Sequence, residues 1–130
     1  MVLLANAATS FAGGAVAVSA AGWLSDKTGL DGDNAEDWTR FVGVGLVVFG
    51  IAVAVAATNL TGESLRRATA VISELDLLWV IATVVAVATS SLSGFGWFAA
   101  VFSGVGVFDF ALLQLWLRRR MVSELTQAGN

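Results

Sequence analysis

"LLWVIATVVAVATSSLSGFGWFAAVFSGVGVF" (Leu77–Phe108) contains no charged residue. A helix that crosses a membrane needs about 20 apolar residues. This run is too long for one crossing, and with its flanks it is long enough for two. "SSLSGFG" (Ser90–Gly96) interrupts it with turn-forming residues. The stretch therefore reads as a helical hairpin in a membrane, with spans at about 75–92 and 97–117. The first of these is the shorter, and it extends backward into "LRRATAVISEL" (Leu65–Leu75).

Toward the N-terminus, Phe41–Leu60 and Val2–Leu24 are also free of charge and supply two further spans, at about 41–60 and 2–24. The small residues of "VSAAG" (Val18–Gly22) resemble a signal-peptide cleavage site, but no basic residue precedes the apolar stretch, so it is read as a span. The expected fold is all-α: a four-helix transmembrane bundle forming a single domain over residues 1–130.

Composition agrees with this architecture. Hydrophobic residues make up 57% of the chain and charged residues 13%, against about 25% charged in a soluble domain. Mean hydropathy is +0.80. Cys and His are both absent, which excludes disulfide exchange, cysteine nucleophiles, His general bases, and haem or zinc sites built on those ligands. Proline is absent too, so no span is broken in the proline-dependent way of many discontinuous transporter helices. A Ser–Lys or two-carboxylate enzyme remains formally open, but the one lysine, Lys27, falls in a loop. The expectation is a non-enzyme with no catalytic residues, no metal and no cofactor. There is no basic patch of the size that nucleic acid requires.

Basic residues set the orientation. Arg66 and Arg67 lie between the second and third spans, and Arg118, Arg119 and Arg120 follow the fourth, which places both termini in the cytoplasm. The acidic loop "SDKTGLDGDNAEDW" (Ser25–Trp38) then falls outside. Its "DGDNAED" (Asp31–Asp37) resembles the start of a calcium loop but lacks the downstream Glu, so it reads as a solvated loop. Tryptophans favour membrane interfaces. Trp23, Trp38 and Trp97 are expected as outer anchors, Trp79 and Trp116 as inner ones. The expected location is a prokaryotic inner or plasma membrane, crossed several times.

In lipid, helices associate through close packing and interhelical hydrogen bonds. Each span offers a stripe of small or polar residues at helical spacing: Asn6, Ser10, Gly13, Ala17 and Ala20; Arg40, Gly43, Gly50, Ala54 and Ala57; Asp76, Thr83 and Ser90 with Trp79; and Gly106, Asp109, Leu113 and Trp116 with Phe102. Gly13, Gly43, Gly50 and Gly106 are the expected packing glycines. "GVGLVVFG" (Gly43–Gly50) superficially resembles a nucleotide loop, but it follows no strand and lies within a span. Asn6, Asp76, Asp109 and Gln114 are the candidate ligand- or ion-binding residues. They either belong to the bundle core or line a shared polar pocket. Asp109 falls near mid-span, where an Asp costs about 3 kcal/mol on insertion scales. Its expected partner is Asn6.

"LLANAATSFAGG" (Leu3–Gly14), "RFVGVGLVVFGIAVA" (Arg40–Ala54), "LRRATAVISELDLLWVIATVV" (Leu65–Val85) and "QLWLRRR" (Gln114–Arg120) resemble a group of small bacterial four-span integral membrane proteins without an assigned activity. The resemblance covers most of the chain and rests on diffuse motifs. It implies the four-span architecture, draws attention to Asn6, Arg40, Asp76 and Trp79, and implies no chemistry.

Two functions follow as expectations. The first is a membrane protein that acts by association, as a homo-oligomer or an accessory subunit of a membrane complex, with membrane lipids around it and room for a lipid or another hydrophobic ligand. The second is a small channel or proton-coupled transporter that uses Asp109.

Overall fold

The computed structural model describes residues 1–30, 33–89 and 91–128, with side chains through Trp116 and at Arg119. The expectations placed on Asp31, Gly32 and Ser90, and on the side chains of Arg118 and Arg120, lie outside the described residues. Among the described residues the chain is all-helical. The helices are α1 (Val2–Ser19), α2 (Ala21–Thr28), α3 (Ala35–Asn59), α4 (Gly62–Thr89) and α5 (Gly94–Ala128). Four segments are long and apolar enough to cross a membrane: α1, α3, α4 and Gly94–Trp116 of α5.

The first apolar stretch is not one helix. It breaks at Ala20 (φ −118°, ψ 27°), and Gly22–Leu24 belong to α2. Just before the break, the Ser19 hydroxyl donates to the Ala15 carbonyl at 2.8 Å, a back-bonding habit of Ser that bends helices. Beyond it the sequence turns polar, and α2 ends at Gly29 in the left-handed conformation (φ 72°), which glycine adopts without steric cost. α3 begins ahead of its apolar run, with Glu36 and Asp37 in its first turn, where carboxylates suit the helix dipole. α4 includes the amphipathic segment before the third apolar run, as expected. There Arg66 and Arg67 both hold Glu63, at 2.7 and 3.0 Å.

The helices pack in two antiparallel pairs, α1 with α3 and α4 with α5. The α1–α3 seam is close. A Cβ on Gly14 would stand 2.6 Å from the Gly43 carbonyl oxygen, and one on Gly50 would stand 2.8 Å from that of Ala7. Only glycine permits backbones to approach this nearly. Gly43 and Gly50 thus serve as expected. Gly13 and Gly106 do not, since a Cβ on either would meet no atom within 4 Å. The packing glycine of α1 is Gly14. Ala7, Val53, Ala56 and Ile72 form the apolar core where α1, α3 and α4 meet. Most other large apolar side chains point outward, Phe102 at 73% exposure among them, as suits helices long and apolar enough to cross a membrane.

Two clamps join the pairs. At one end Leu60 and Thr61 alone separate α3 from α4. At the other the Ser93 hydroxyl donates to the Lys27 carbonyl, and the Ser93 N–H donates to the Thr28 carbonyl at 2.9 Å. Ser93 also accepts the Gly96 N–H at 3.0 Å, capping the start of α5.

Candidate functional site

Three of the four expected polar residues meet between the pairs. Asn6 on α1, Asp76 on α4 and Gln114 on α5 are 2%, 3% and 1% exposed. Asn6 Nδ2 donates to Asp76 Oδ2 at 2.8 Å. Gln114 Nε2 donates to the same oxygen at 3.2 Å. Ser73, one turn before Asp76 on α4, is buried as well. Its hydroxyl lies 2.7 Å from Gln114 Oε1 and 2.8 Å from the Thr69 carbonyl, and its proton serves these two acceptors. Ser10 extends the cluster on α1, donating to Asn6 Oδ1 at 3.3 Å.

The cluster follows from sequence spacing. Thr69, Ser73 and Asp76 recur at three or four residues and so share one face of α4. In an apolar environment each unmet amide or carboxyl is costly, so these groups hold one another, and by doing so they fix the two helix pairs in a single register. The small hydroxyls of Thr69 and Ser73 mark this face as clearly as Asp76 does. Neither figured among the expected site residues.

Asp109 departs from expectation. It is exposed on α5 and makes no hydrogen bond or ion pair with any described residue. The carboxylate that Asn6 holds is that of Asp76, not Asp109. Phe102, Val105, Leu112 and Trp116, spaced with Asp109 along one face of α5, are all exposed too. The helix turns Asp109 outward because Ala111 and Gln114 occupy its inner face, at 0% and 1% exposure.

Cavities flank the cluster. One, of about 310 Å³, is bounded by Ser10, Phe41, Phe49, Asp76 and Trp79 with other apolar residues. A second, of about 240 Å³, adjoins it through Ser10, Leu46, Trp79 and Val107, and reaches Gly13 and Gly106. These two glycines border an opening between α1 and α5 rather than a seam. A third cavity, of about 440 Å³, lies between α4 and α5 and is bounded by Val80, Thr83, Val101, Gly104 and Phe108 among others.

The tryptophans divide. Trp23, Trp38, Trp97 and Trp116 are exposed, as anchors would be. Trp23 meets Phe95 edge-on at 5.8 Å, and Trp38 meets Phe41 at 5.7 Å. Trp79, expected as an inner anchor, is partly buried, and its indole N–H reaches the Ser103 hydroxyl at 3.5 Å. Arg40, expected on the packing stripe, is exposed and pairs with Glu36 on its own helix.

Compared with models of known protein families, with curated proteins and with solved structures, the chain finds no match.

Proposed function

We propose that this protein is a non-enzymatic, multi-pass integral membrane protein that acts by association through the outer face of α5. The observation that carries the proposal is Asp109. It stands within the apolar segment Gly94–Trp116, exposed and unpartnered among the described residues. It lies about 22 Å from one end of that segment and about 10 Å from the other, at 1.5 Å per residue. Lipid tails offer a carboxyl group neither donor nor acceptor, and intramembrane carboxyls are met by pairing or by a water-filled cavity. Asp109 lines none of the cavities described above, which leaves pairing. A second copy of the chain is the simplest source of a partner: across a two-fold interface Asp109 meets Asp109, and protonated carboxyls are both donors and acceptors. Phe102, Val105, Leu112 and Trp116 would pack around that contact.

The same face would serve an accessory subunit. The arginines at 66, 67, 118, 119 and 120 support a cytoplasmic placement of both termini, and we place the chain in a prokaryotic cell membrane on its diffuse resemblance to small bacterial four-span proteins. A channel or transporter built on Asp109 would need a wet path to that carboxylate, and the cavities lie elsewhere.

Because the chain contains no cysteine, cross-linking is clean. Leu112→Cys should form a disulfide-linked dimer in membranes, while Val44→Cys, exposed on α3, should not. Adding Asp109→Leu to Leu112→Cys should reduce the cross-linked fraction at least fivefold. A monomer at every protein-to-lipid ratio overturns the homo-oligomer. Co-purification of that monomer with a different membrane protein, lost in Asp109→Leu, would assign the face to a larger complex.

A further inference from the structure

We propose that the cavity beside Asp76 is a binding site for a small lipophilic ammonium ion. The inference does not depend on association through α5. Asp76 spends one oxygen on the protein: Oδ2 accepts from both Asn6 and Gln114. Oδ1 makes no hydrogen bond with any described residue, yet no fully buried side-chain oxygen or nitrogen among them lacks a partner. Oδ1 therefore keeps access to the cavity that Asp76 helps to line. Around it stand the rings of Phe41, Phe49 and Trp79 and a single hydroxyl, that of Ser10. The cavity is thus largely apolar, bordered by three aromatic side chains, and supplied with one carboxylate oxygen that lacks a donor.

Each alternative occupant fails on chemistry. Water would satisfy Oδ1, but the largely apolar lining offers it only the side-chain oxygens of Asp76 and Ser10, and an ordered buried water makes about three hydrogen bonds. An acyl chain would fill the space and leave Oδ1 unmet. A divalent cation needs six or more oxygens, and Asp76 and Ser10 offer two side-chain oxygens here. A primary amine on a hydrophobic body meets every demand. One N–H donates to Asp76 Oδ1 and a second to Ser10 Oγ, and the body fills the apolar volume beside the aromatic side chains. That volume is at the small end of ligand pockets. The amides of Asn6 and Gln114 hold the carboxylate in place, so the site is set before the ligand arrives.

The test uses the full chain in nanodiscs of zwitterionic lipid, with empty discs subtracted. The probes are 4-phenylbutylamine and its neutral counterpart, 4-phenylbutan-1-ol. The amine should bind saturably and at least tenfold more tightly than the alcohol. Asp76→Asn, which keeps a carbonyl acceptor for Asn6 and Gln114, should abolish the amine's advantage and bring the amine-to-alcohol ratio to about one. Gly45→Leu should block both probes, because Gly45 lines the cavity and a Cβ there meets no atom within 4 Å. Should Asp76→Asn fail to fold, the amine-to-alcohol ratio and Gly45→Leu still decide. Equal binding of both probes, or amine binding insensitive to Gly45→Leu, overturns the proposal. So does the absence of saturable binding above empty discs.

Discussion

The α1–α3 pair and the α4–α5 pair are both antiparallel, yet they close by different means. In the first, Gly14, Gly43 and Gly50 face the opposing helix, and backbone meets backbone. In the second no described glycine brings the two backbones into contact. A Cβ on Gly104 would find only Thr83 Cγ2, at 3.6 Å, and Gly106 faces open space. A cavity of about 440 Å³ remains between these helices. Their contact relies instead on polar pairs, Ser73 with Gln114 and Trp79 with Ser103. Glycine content alone therefore does not make a tight seam. What matters is whether the backbones come into contact where the glycines stand.

The largest break in that contrast should come from Gly14→Leu. Its side chain would start 2.6 Å from a backbone oxygen, which cannot yield as a flexible side chain can. The expected loss is about 3 kcal/mol by the usual cost of overpacking, read as unfolding in detergent. Gly106→Leu should change stability by less than about 0.5 kcal/mol. Equal losses would show that the two seams are alike. Asp76→Ala comes next. It leaves the amides of Asn6 and Gln114 without their shared acceptor, for an expected loss of about 1–2 kcal/mol. Asp76→Asn should recover most of it, whereas equal losses in the two variants would mean that packing and not hydrogen bonding joins the pairs. The smallest effect sharpens the comparison in the other direction. Gly104→Ala should stabilise by about 0.5 kcal/mol, since it adds helix propensity with only an ordinary contact at Thr83. A destabilisation there would mean that α4 and α5 are already closely packed.

The sequence makes the apolar lengths visible, so the four long helices could be read from charge-free runs such as Phe41–Leu60. The backward extension of the third was legible in the shortness of that span. The break at Ala20 was not, because no proline or charge marks it. Rotation about the helix axis was the least legible. In water one face of a helix is polar, but in lipid both faces are apolar, and little tells inside from outside. Gly13 and Gly14 differ by about 100°, and nothing local chooses between them. The same ambiguity explains the candidate site. Asn6, Asp76 and Gln114 stand out as polar residues in apolar runs, and they do converge. Which carboxylate Asn6 would hold depended on helix order around the bundle, which spacing along one helix does not encode. Asp109 was the more conspicuous, since it falls near mid-span, while Asp76 enters its apolar run beside Glu74; the fold turns Asp109 outward and Asp76 in.

The hydrogen bond between Asn6 and Asp76 joins residues 70 positions apart, so it ties one helix pair to the other. The close backbone seam of α1 and α3 leaves the Asn6 amide to find its carboxylate on α4. Unmet polar groups are costly in an apolar setting. Apolar packing alone would accept many rotations and offsets of α4 and α5, but that amide accepts the one that delivers Asp76. A single side chain on α1 thereby acts as the gauge against which the second pair is aligned.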